Sequence, residues 1–490
     1  MGKIFAMKKN VLENVYDPSV FRTIGHELID LLADHLEKVQ SDREHPVLPY
    51  KDPEVVLDYW KKDFSSDTGV MDMFGNILSQ SINVHHPRYI GHQVAVPAFI
   101  SSLSGLISDV MSNGTGVYEM GMAANAIERI VTDLVAQRIG YDQNASGLLT
   151  SGGSLANLTA LLAARKAKAP SSVWEKGHQE KLAILVSEEA HYCIDRAARI
   201  LGLGEEGIVK VPVNGDYSID TSKVAGCLEE AQSKGLHVIA IIGCACSTAT
   251  GSYDDLDYLG DFADKHNLWF HVDGAHGAGV IFSEKYKHMV KGIAKADSVV
   301  LDFHKMLMTP ALNTALIFKN SIDSYRTFEQ KAQYLWDSQH SQEWYNSGKR
   351  TFECTKLMMS IKVYAILKAY GEEAFTQNVN TLYDLAETFS EMIDKQESFE
   401  LAHHPQANIV NFRYAPEQVD IDLNTLNNNI RQALIQSGKF YVVQTTINEE
   451  KYLRTTMMNP LTTKDDLIAL IEEVHHLGTT FVKEKVSNSF

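Results

Sequence analysis

The sequence predicts an α/β fold in which a mostly parallel sheet is covered by helices, with a helical arm before it and a smaller α/β unit after it. Three observations predict it. Between residues 86 and 365, short apolar runs rich in Val, Ile and Leu alternate with stretches of helical periodicity, the pattern of β-strands joined by helices. Residues 1–85 repeat apolar side chains at helical spacing and carry no dense chemistry. Beyond residue 366, two long helical patterns bracket shorter strand-like runs. A chain of 490 residues exceeds one core of ordinary size, so units at 1–85, 86–365 and 366–490 are expected.

In the arm, Phe21, Ile24, Leu28, Leu31, Leu32 and Leu36 recur at helical spacing, and the stretch from Pro46 to Pro53 breaks the pattern. That apolar stripe needs a cover, either the body of the chain or a second subunit. In the central unit, strands are expected at 147–150, 183–186, 207–211, 238–242, 268–272, 298–301 and 314–318. Helices are expected between several of them, at 154–168, 222–234 and 256–266. The last unit should hold helices at 372–398 and 464–477 around strands such as 409–414 and 451–457.

Composition excludes some functions. A net charge of -17 argues against nucleic acid or an anionic membrane as the main partner, since both are polyanions. No run reaches the ~18 apolar residues of a membrane span, and the N-terminus has no sustained apolar stretch of the signal-peptide kind. Cytoplasm is the expected location. Five cysteines in so long a chain make no disulfide framework, and Cys244 and Cys246 read as buried small residues. The histidine pairs at 85–86, 403–404 and 475–476 lack the spacing of a zinc site, so no metal is expected. Asp254, Asp255 and Asp257 read as a solvated turn and helix start.

The chemistry gathers at strand ends. Lys305 follows His304 just after the run 298–303, and Asp273 follows the run 268–272. An amine and a carboxylate at neighbouring strand ends are what pyridoxal phosphate asks of a protein. The amine forms a Schiff base, and the carboxylate keeps the ring nitrogen protonated so the ring can drain electrons. Ligands of such sheets sit at the carboxyl ends of the strands. Gly152, Gly153 and Ser154 lie between a strand and a helix, where free N–H groups and the helix dipole suit a phosphate. Ser154 is also a good N-cap, so a plain capped turn is the competing reading, and Lys305 downstream favours the phosphate. Residues 202–207 match GxGxxG but follow a helix and precede a strand, the reverse of the dinucleotide fingerprint. His191 follows strand 183–186, where a flat imidazole can stack on a pyridine ring; a lone histidine is more often structural. Thr248 lies in a Ser/Thr-rich turn after strand 238–242 and can hydrogen-bond a cofactor, although such turns are common without one.

At this point the blocks SGGSLANLTALLAAR, EAHYCIDRA, STATGSYDDL, HVDGAHGAG and DFHKML follow one another as in the pyridoxal-phosphate-dependent group II amino-acid decarboxylases. HHPRYIGH near residue 85 and KYLRTTMMNP near 451 extend the similarity to roughly residues 50–480. The resemblance implies a fold-type I, aspartate-aminotransferase-like subunit that works as a homodimer with active sites at the subunit interface. It implies Lys305 as the Schiff-base lysine, Asp273 as partner of the ring nitrogen and His191 as the stacking histidine. It further implies Gly152, Gly153 and Ser154 at the phosphate, His304 beside the lysine, Thr248 close to the cofactor and Ala275 on the opposite ring face. Asp302 stands where many members have asparagine near the phosphate; a carboxylate pointing inward there would be repelled.

The implied reaction is α-decarboxylation, with a loop tyrosine, often from the neighbouring subunit, helping to return a proton. In this chain the loop before residues 349–352 is shorter than in the family, Tyr345 is the natural candidate, and Trp344 and His340 are its rivals. Loss of that tyrosine can divert such enzymes, so an aldehyde synthase or aminotransferase is the alternative activity. His92 and Gln93 are polar where aromatic-acid decarboxylases carry aromatic side chains. Tyr118, Glu119 and Arg454 resemble the glutamate and cysteine-sulfinate branch, whereas DFHK and His92 resemble the diaminobutyrate and lysine branch. Arg454 either binds a substrate carboxylate or joins an ion pair. The expected substrate is a small polar L-amino acid, acidic or diamino, contacted by His92 and Arg454.

Overall fold

The computed structural model describes residues 10–328, 343–417 and 421–487. Its larger sheet contains β1 (Ser146–Thr150), β2 (Leu182–Ser187), β3 (Ile208–Val211), β4 (His237–Cys244), β5 (Trp269–Asp273), β6 (Ser298–Asp302) and β7 (Thr314–Phe318). The spatial order is β1-β7-β6-β5-β4-β2-β3. Strands β3, β2, β4, β5 and β6 run parallel, while β7 is antiparallel to both β6 and β1. The expected α/β, fold-type I class is therefore the fold observed.

The strands read as apolar runs because both faces are covered. Every residue of β1, β2, β5, β6 and β7 is buried, as parallel sheets require. Side chains alternate between two cores: Ile241 enters one, while Ala240 and Ile242 enter the other. The helix Gly153–Lys168 packs in the second core through Ala156, Ala160, Leu161 and Ala164. A further sheet of β8 (Phe399–Leu401), β9 (Ile409–Tyr414), β10 (Val443–Ile447) and β11 (Glu450–Thr456) has the order β10-β11-β9-β8 and is wholly antiparallel. The helices Glu373–Asp394, Leu423–Ser437 and Lys464–Ser487 share its core.

Alternation of strand and helix begins later than the sequence suggests. Residues 99–139 form two helices, Phe99–Met111 and Tyr118–Ile139, before the first strand. The arm folds as Pro18–Ser41, Pro53–Phe64 and Val70–Ser79. Its stripe stays partly open within one chain: Phe21 is exposed, Leu28, Leu31, Leu32 and Leu36 are half-buried, and Val39 is the one buried residue of its helix. No helix among the described residues is long and apolar enough to cross a membrane.

Candidate active site

Pairing register lines up the strand ends. Cys244 lies opposite Asp273, Asp273 opposite Val300, and Asp302 opposite Thr314. The chain beyond β6 then runs through His304 to Lys305. These ends, with the turn after β1, enclose a cavity of about 290 Å³. It is lined by Gly152, Gly153, Ser154, His191, Thr248, Asp273, Ala275, Asp302, His304 and Lys305 among others. The sequence-chosen cofactor residues therefore share one cleft.

The turn after β1 is shaped by glycine. Gly152 has φ +108°, a left-handed conformation that a side chain would strain. It is the N-cap of the helix Gly153–Lys168, and no side chain caps that helix. The competing reading of Ser154 as the N-cap does not hold: Ser154 lies one residue inside the first turn. Leaving the first N–H groups without an internal acceptor keeps them available to an anion. A Cβ added at Gly153 would sit 3.3 Å from Asp302 Oδ1 and 3.4 Å from Ala275 Cβ, closing the space at the helix start.

Lys305 Nζ lies 3.1 Å from Asp302 Oδ2, and His304 Nε2 lies 3.6 Å from the same oxygen. The other oxygen of Asp302 accepts from Thr314 Oγ1 at 2.5 Å. Asp302 therefore points into the cavity, the orientation in which a phosphate is repelled. Burial works against charge on Lys305, but Asp302 and Asp273 outweigh it and raise the ammonium above its ordinary range. His304 is held by Asn313, whose N–H donates to Nδ1 at 3.1 Å.

His191 caps the helix Tyr192–Ile200, its Nδ1 accepting the Cys193 N–H at 3.3 Å. Burial lowers its pKa, with Asp273 opposing and Lys305 adding to the effect. The neutral ring then carries its proton on Nε2. Asp273 accepts the Ala275 N–H at 3.3 Å. Beneath this wall, His271 bonds Ser298 Oγ through Nδ1 at 2.8 Å and Asn157 Oδ1 through Nε2 at 2.7 Å. Burial first of all pushes its pKa down to about 4.

Several lining residues were given no role at the cofactor from sequence. His276 is buried, with Nε2 on Asn408 Oδ1 at 2.7 Å and Nδ1 unpaired. Burial and Lys305 lower its pKa to about 3. Its position three residues after Asp273 in DGAH was the available signal. Cys244 and Cys246 are buried as expected, Cys193 is buried too, and all three line the cleft. Asp254 corrects the reading of a solvated turn: it is buried and accepts the N–H groups of Cys244 and Ile219, both at 2.7 Å. Asp255 does cap the helix Leu256–His266.

The expected substrate contacts, His92 and Arg454, stand outside the lining. Arg454 is 8% exposed and donates from Nη1 to the Thr248 carbonyl at 2.8 Å, which ties β11 to the cleft. The His92 and Tyr441 rings lie 5.6 Å apart. Burial, then Arg454 and Arg431, depress the His92 pKa. Among the described residues neither Arg431 nor Arg454 has a carboxylate partner, and the Nε of each is buried and unpaired. Gln93 Nε2 is likewise buried and unpaired.

Tyr345 does not reach this cleft. Its ring packs edge-on against Tyr118 and Trp344, at 5.5 and 5.6 Å, and its carbonyl accepts from Asn125 Nδ2. The segment is pinned by Ser347, whose Oγ donates to the Thr115 carbonyl at 2.6 Å, and by Asn346, whose Oδ1 accepts the Tyr118 N–H at 2.9 Å. His340 lies outside the described residues.

Comparison with known proteins agrees with this geometry. The family described as "Pyridoxal-dependent decarboxylase conserved domain" matches residues 64–415. An aromatic-L-amino-acid decarboxylase of Bacillus atrophaeus is 28% identical over 481 residues, covering 96% of each chain. An aspartate 1-decarboxylase of Aliivibrio fischeri is 27% identical, covering 83% of this chain and 82% of its own. The glutamate decarboxylase domain of diaminobutyrate-pyruvate transaminase and L-2,4-diaminobutyrate decarboxylase from Vibrio parahaemolyticus shares the fold. Its TM-score is 0.84 at 23% identity, covering 97% of this chain and 98% of that one. The chain belongs to the pyridoxal-dependent decarboxylase family. It is an enzyme, a carboxy-lyase whose cofactor is pyridoxal phosphate.

The cleft suits that group. It offers an amine at Lys305, a carboxylate at Asp273, and an uncapped helix start with no Cβ at Gly153. Asp302 is the lining carboxylate packed against that helix start, where its charge opposes the phosphate.

Proposed function

We propose that this enzyme removes the α-carboxylate of a small polar L-amino acid as carbon dioxide and releases the amine, with a side-chain acid preferred over a side-chain amine. The observation that carries the preference is the pair Arg431 and Arg454 beside His92 and Tyr441; neither arginine has a carboxylate partner among the described residues. The Arg454 guanidinium, buried without a counter-ion among the described residues, would be stabilised by an incoming carboxylate. An aromatic substrate would instead leave the donors of Gln93 and Arg454 unpaired, at about 1–3 kcal/mol each.

Lys305 is proposed to hold the cofactor, Asp273 to keep its ring nitrogen protonated, and His191 and Ala275 to flank the ring. The start of the helix Gly153–Lys168, with Ser154 and His304, is proposed to hold the phosphate, and Thr248 to meet the cofactor's edge. When bound, pyridoxal phosphate accepts the electrons that the departing carboxylate leaves on Cα. His191, with its proton on Nε2, orients the reacting carboxylate by donation. Arg454 binds the substrate's second acid, and Asp302 and Lys305 keep a proton between them at 3.1 Å.

A homodimer is proposed: Leu103, Leu106, Ile107, Val110, Met111, Met120 and Met122 are exposed on two consecutive helices, and clustered exposed apolar side chains suit an interaction surface. In that dimer Tyr345 would serve its partner's cleft, returning the proton to Cα.

The test is a panel of acidic, diamino and aromatic L-amino acids, with carbon dioxide, ammonia and peroxide scored together. Carbon dioxide and amine from an acidic substrate support the reading. Ammonia and peroxide in step with carbon dioxide would make the enzyme an aldehyde synthase, and preferential turnover of an aromatic or diamino acid would overturn the role given to the arginines.

A further inference from the structure

Asp302 is the last residue of β6, and its side chain is 2% exposed. One oxygen is 3.1 Å from Lys305 Nζ and 3.6 Å from His304 Nε2, and the other accepts from Thr314 Oγ1 at 2.5 Å. Its two oxygens would lie 3.3 and 3.5 Å from a Cβ on Gly153. The carboxylate is therefore packed against the first residue of a helix that has neither a capping side chain nor an acidic residue in its first turn. Every feature that makes this corner attractive to a phosphate already faces an anion of the protein itself. A cation, an imidazole and a helix start form one set of donors, and two anions must share it.

We infer that Asp302 is a built-in competitor of the cofactor's phosphate, a fixed carboxylate that draws on the same donors and so weakens cofactor retention relative to a neutral residue at this position. The inference rests on the cofactor placement above. Like charges a few ångströms apart in a buried site repel strongly. The phosphate cannot shed its charge at neutral pH, and Thr314 and Lys305 hold Asp302 in place. The penalty falls on the phosphate and not on the aldehyde or the ring, because Asp302 lies at the helix start.

Two aldehydes separate these contributions: pyridoxal phosphate, and pyridoxal, which lacks the phosphate. Their dissociation constants are measured by equilibrium dialysis against cofactor-depleted wild type, Asp302→Asn and Asp302→Ser. Asparagine keeps the acceptor for Thr314, and serine guards against a misfolded first variant. At least a tenfold tighter constant for pyridoxal phosphate in both variants, with pyridoxal changed less than threefold, is the expected result. Inorganic phosphate alone should raise the melting temperature of the variants more than that of the wild type. Equal gains for both aldehydes would overturn the inference, since the effect would then lie at Lys305. Unchanged or weaker pyridoxal phosphate binding in the variants would also overturn it. If no form of the protein bound either aldehyde while phosphate still stabilised the variants, the cofactor placement would fall and the anion competition would stand.

Discussion

The wall that carries Asp273, Asp302 and Lys305 and the rim that carries His92, Arg431, Tyr441 and Arg454 differ in how the chain builds them. The wall comes from adjacent, fully buried strand ends whose register fixes each side chain against its neighbour. The rim gathers residues from a segment near 90, a helix and β11, distant in sequence and joined to the wall by the Arg454–Thr248 hydrogen bond. Its donors are partly unpaired, whereas those of the wall are largely satisfied. A wall of this kind suits a permanent guest, and a rim with open donors suits one that comes and goes.

The comparison breaks most sharply at Lys305. Lys305→Ala should abolish turnover and remove the visible absorbance of lysine-bound cofactor; retention of either would place the amine elsewhere. Asp273→Asn should cost ~10²–10⁴-fold in kcat while cofactor stays bound, the range of a positioned acid–base group. Near-normal kcat would show that the ring nitrogen has another partner. At the rim the loss should fall on substrate affinity. Arg454→Gln should raise KM for an acidic substrate about 10–100-fold, equivalent to roughly 1.5–3 kcal/mol for a lost charged hydrogen bond. A fall in kcat at unchanged KM would move Arg454 from the rim to the wall.

The smallest effect concerns stability beneath the wall. His271 has its pKa pushed from 6.5 to about 4 by burial, with Asp273 and Ser298 opposing. Between those values the unfolded chain takes up a proton that the native ring refuses, so stability is full above pH 6.5 and falls as the pH drops toward 4. The loss attributable to this ring is up to about 3 kcal/mol. Thermal unfolding from pH 7 to 4 should show a shallower decline in His271→Gln; an unchanged slope would assign the acid sensitivity to His86 or His276, which burial also lowers, to about 4 and about 3.

Much of the wall was legible because its chemistry is local. Asp273, His304 and Lys305 stand at or just past the ends of apolar runs, and a strand end needs no tertiary knowledge to be recognised. The expected strands 314–318 and 409–414 coincide with β7 and β9. Ser154 offered a capped turn as a competing reading because hydroxyl residues usually cap helices, but Gly152, with φ +108°, is the N-cap and the helix starts at Gly153. Strand β8 went unread because it is three residues long, and β10 because Gln444, Thr445 and Thr446 carry little apolar signal. Asp254 looked solvated beside Asp255 and Asp257, since nothing in a run of acids shows which one turns inward to the Cys244 and Ile219 amides. The rim was least legible. That Arg431 lies near His92 depends on how the helix Leu423–Ser437 packs against the second sheet, and no spacing in the chain encodes it.

Arg454 reaches the main-chain oxygen of Thr248 and not its hydroxyl. The tether is therefore indifferent to the side chain at 248, which is free to vary with the guest it meets. Position 454 has no such freedom, because only a long side chain with several donors can grip that carbonyl and still offer nitrogens to a ligand.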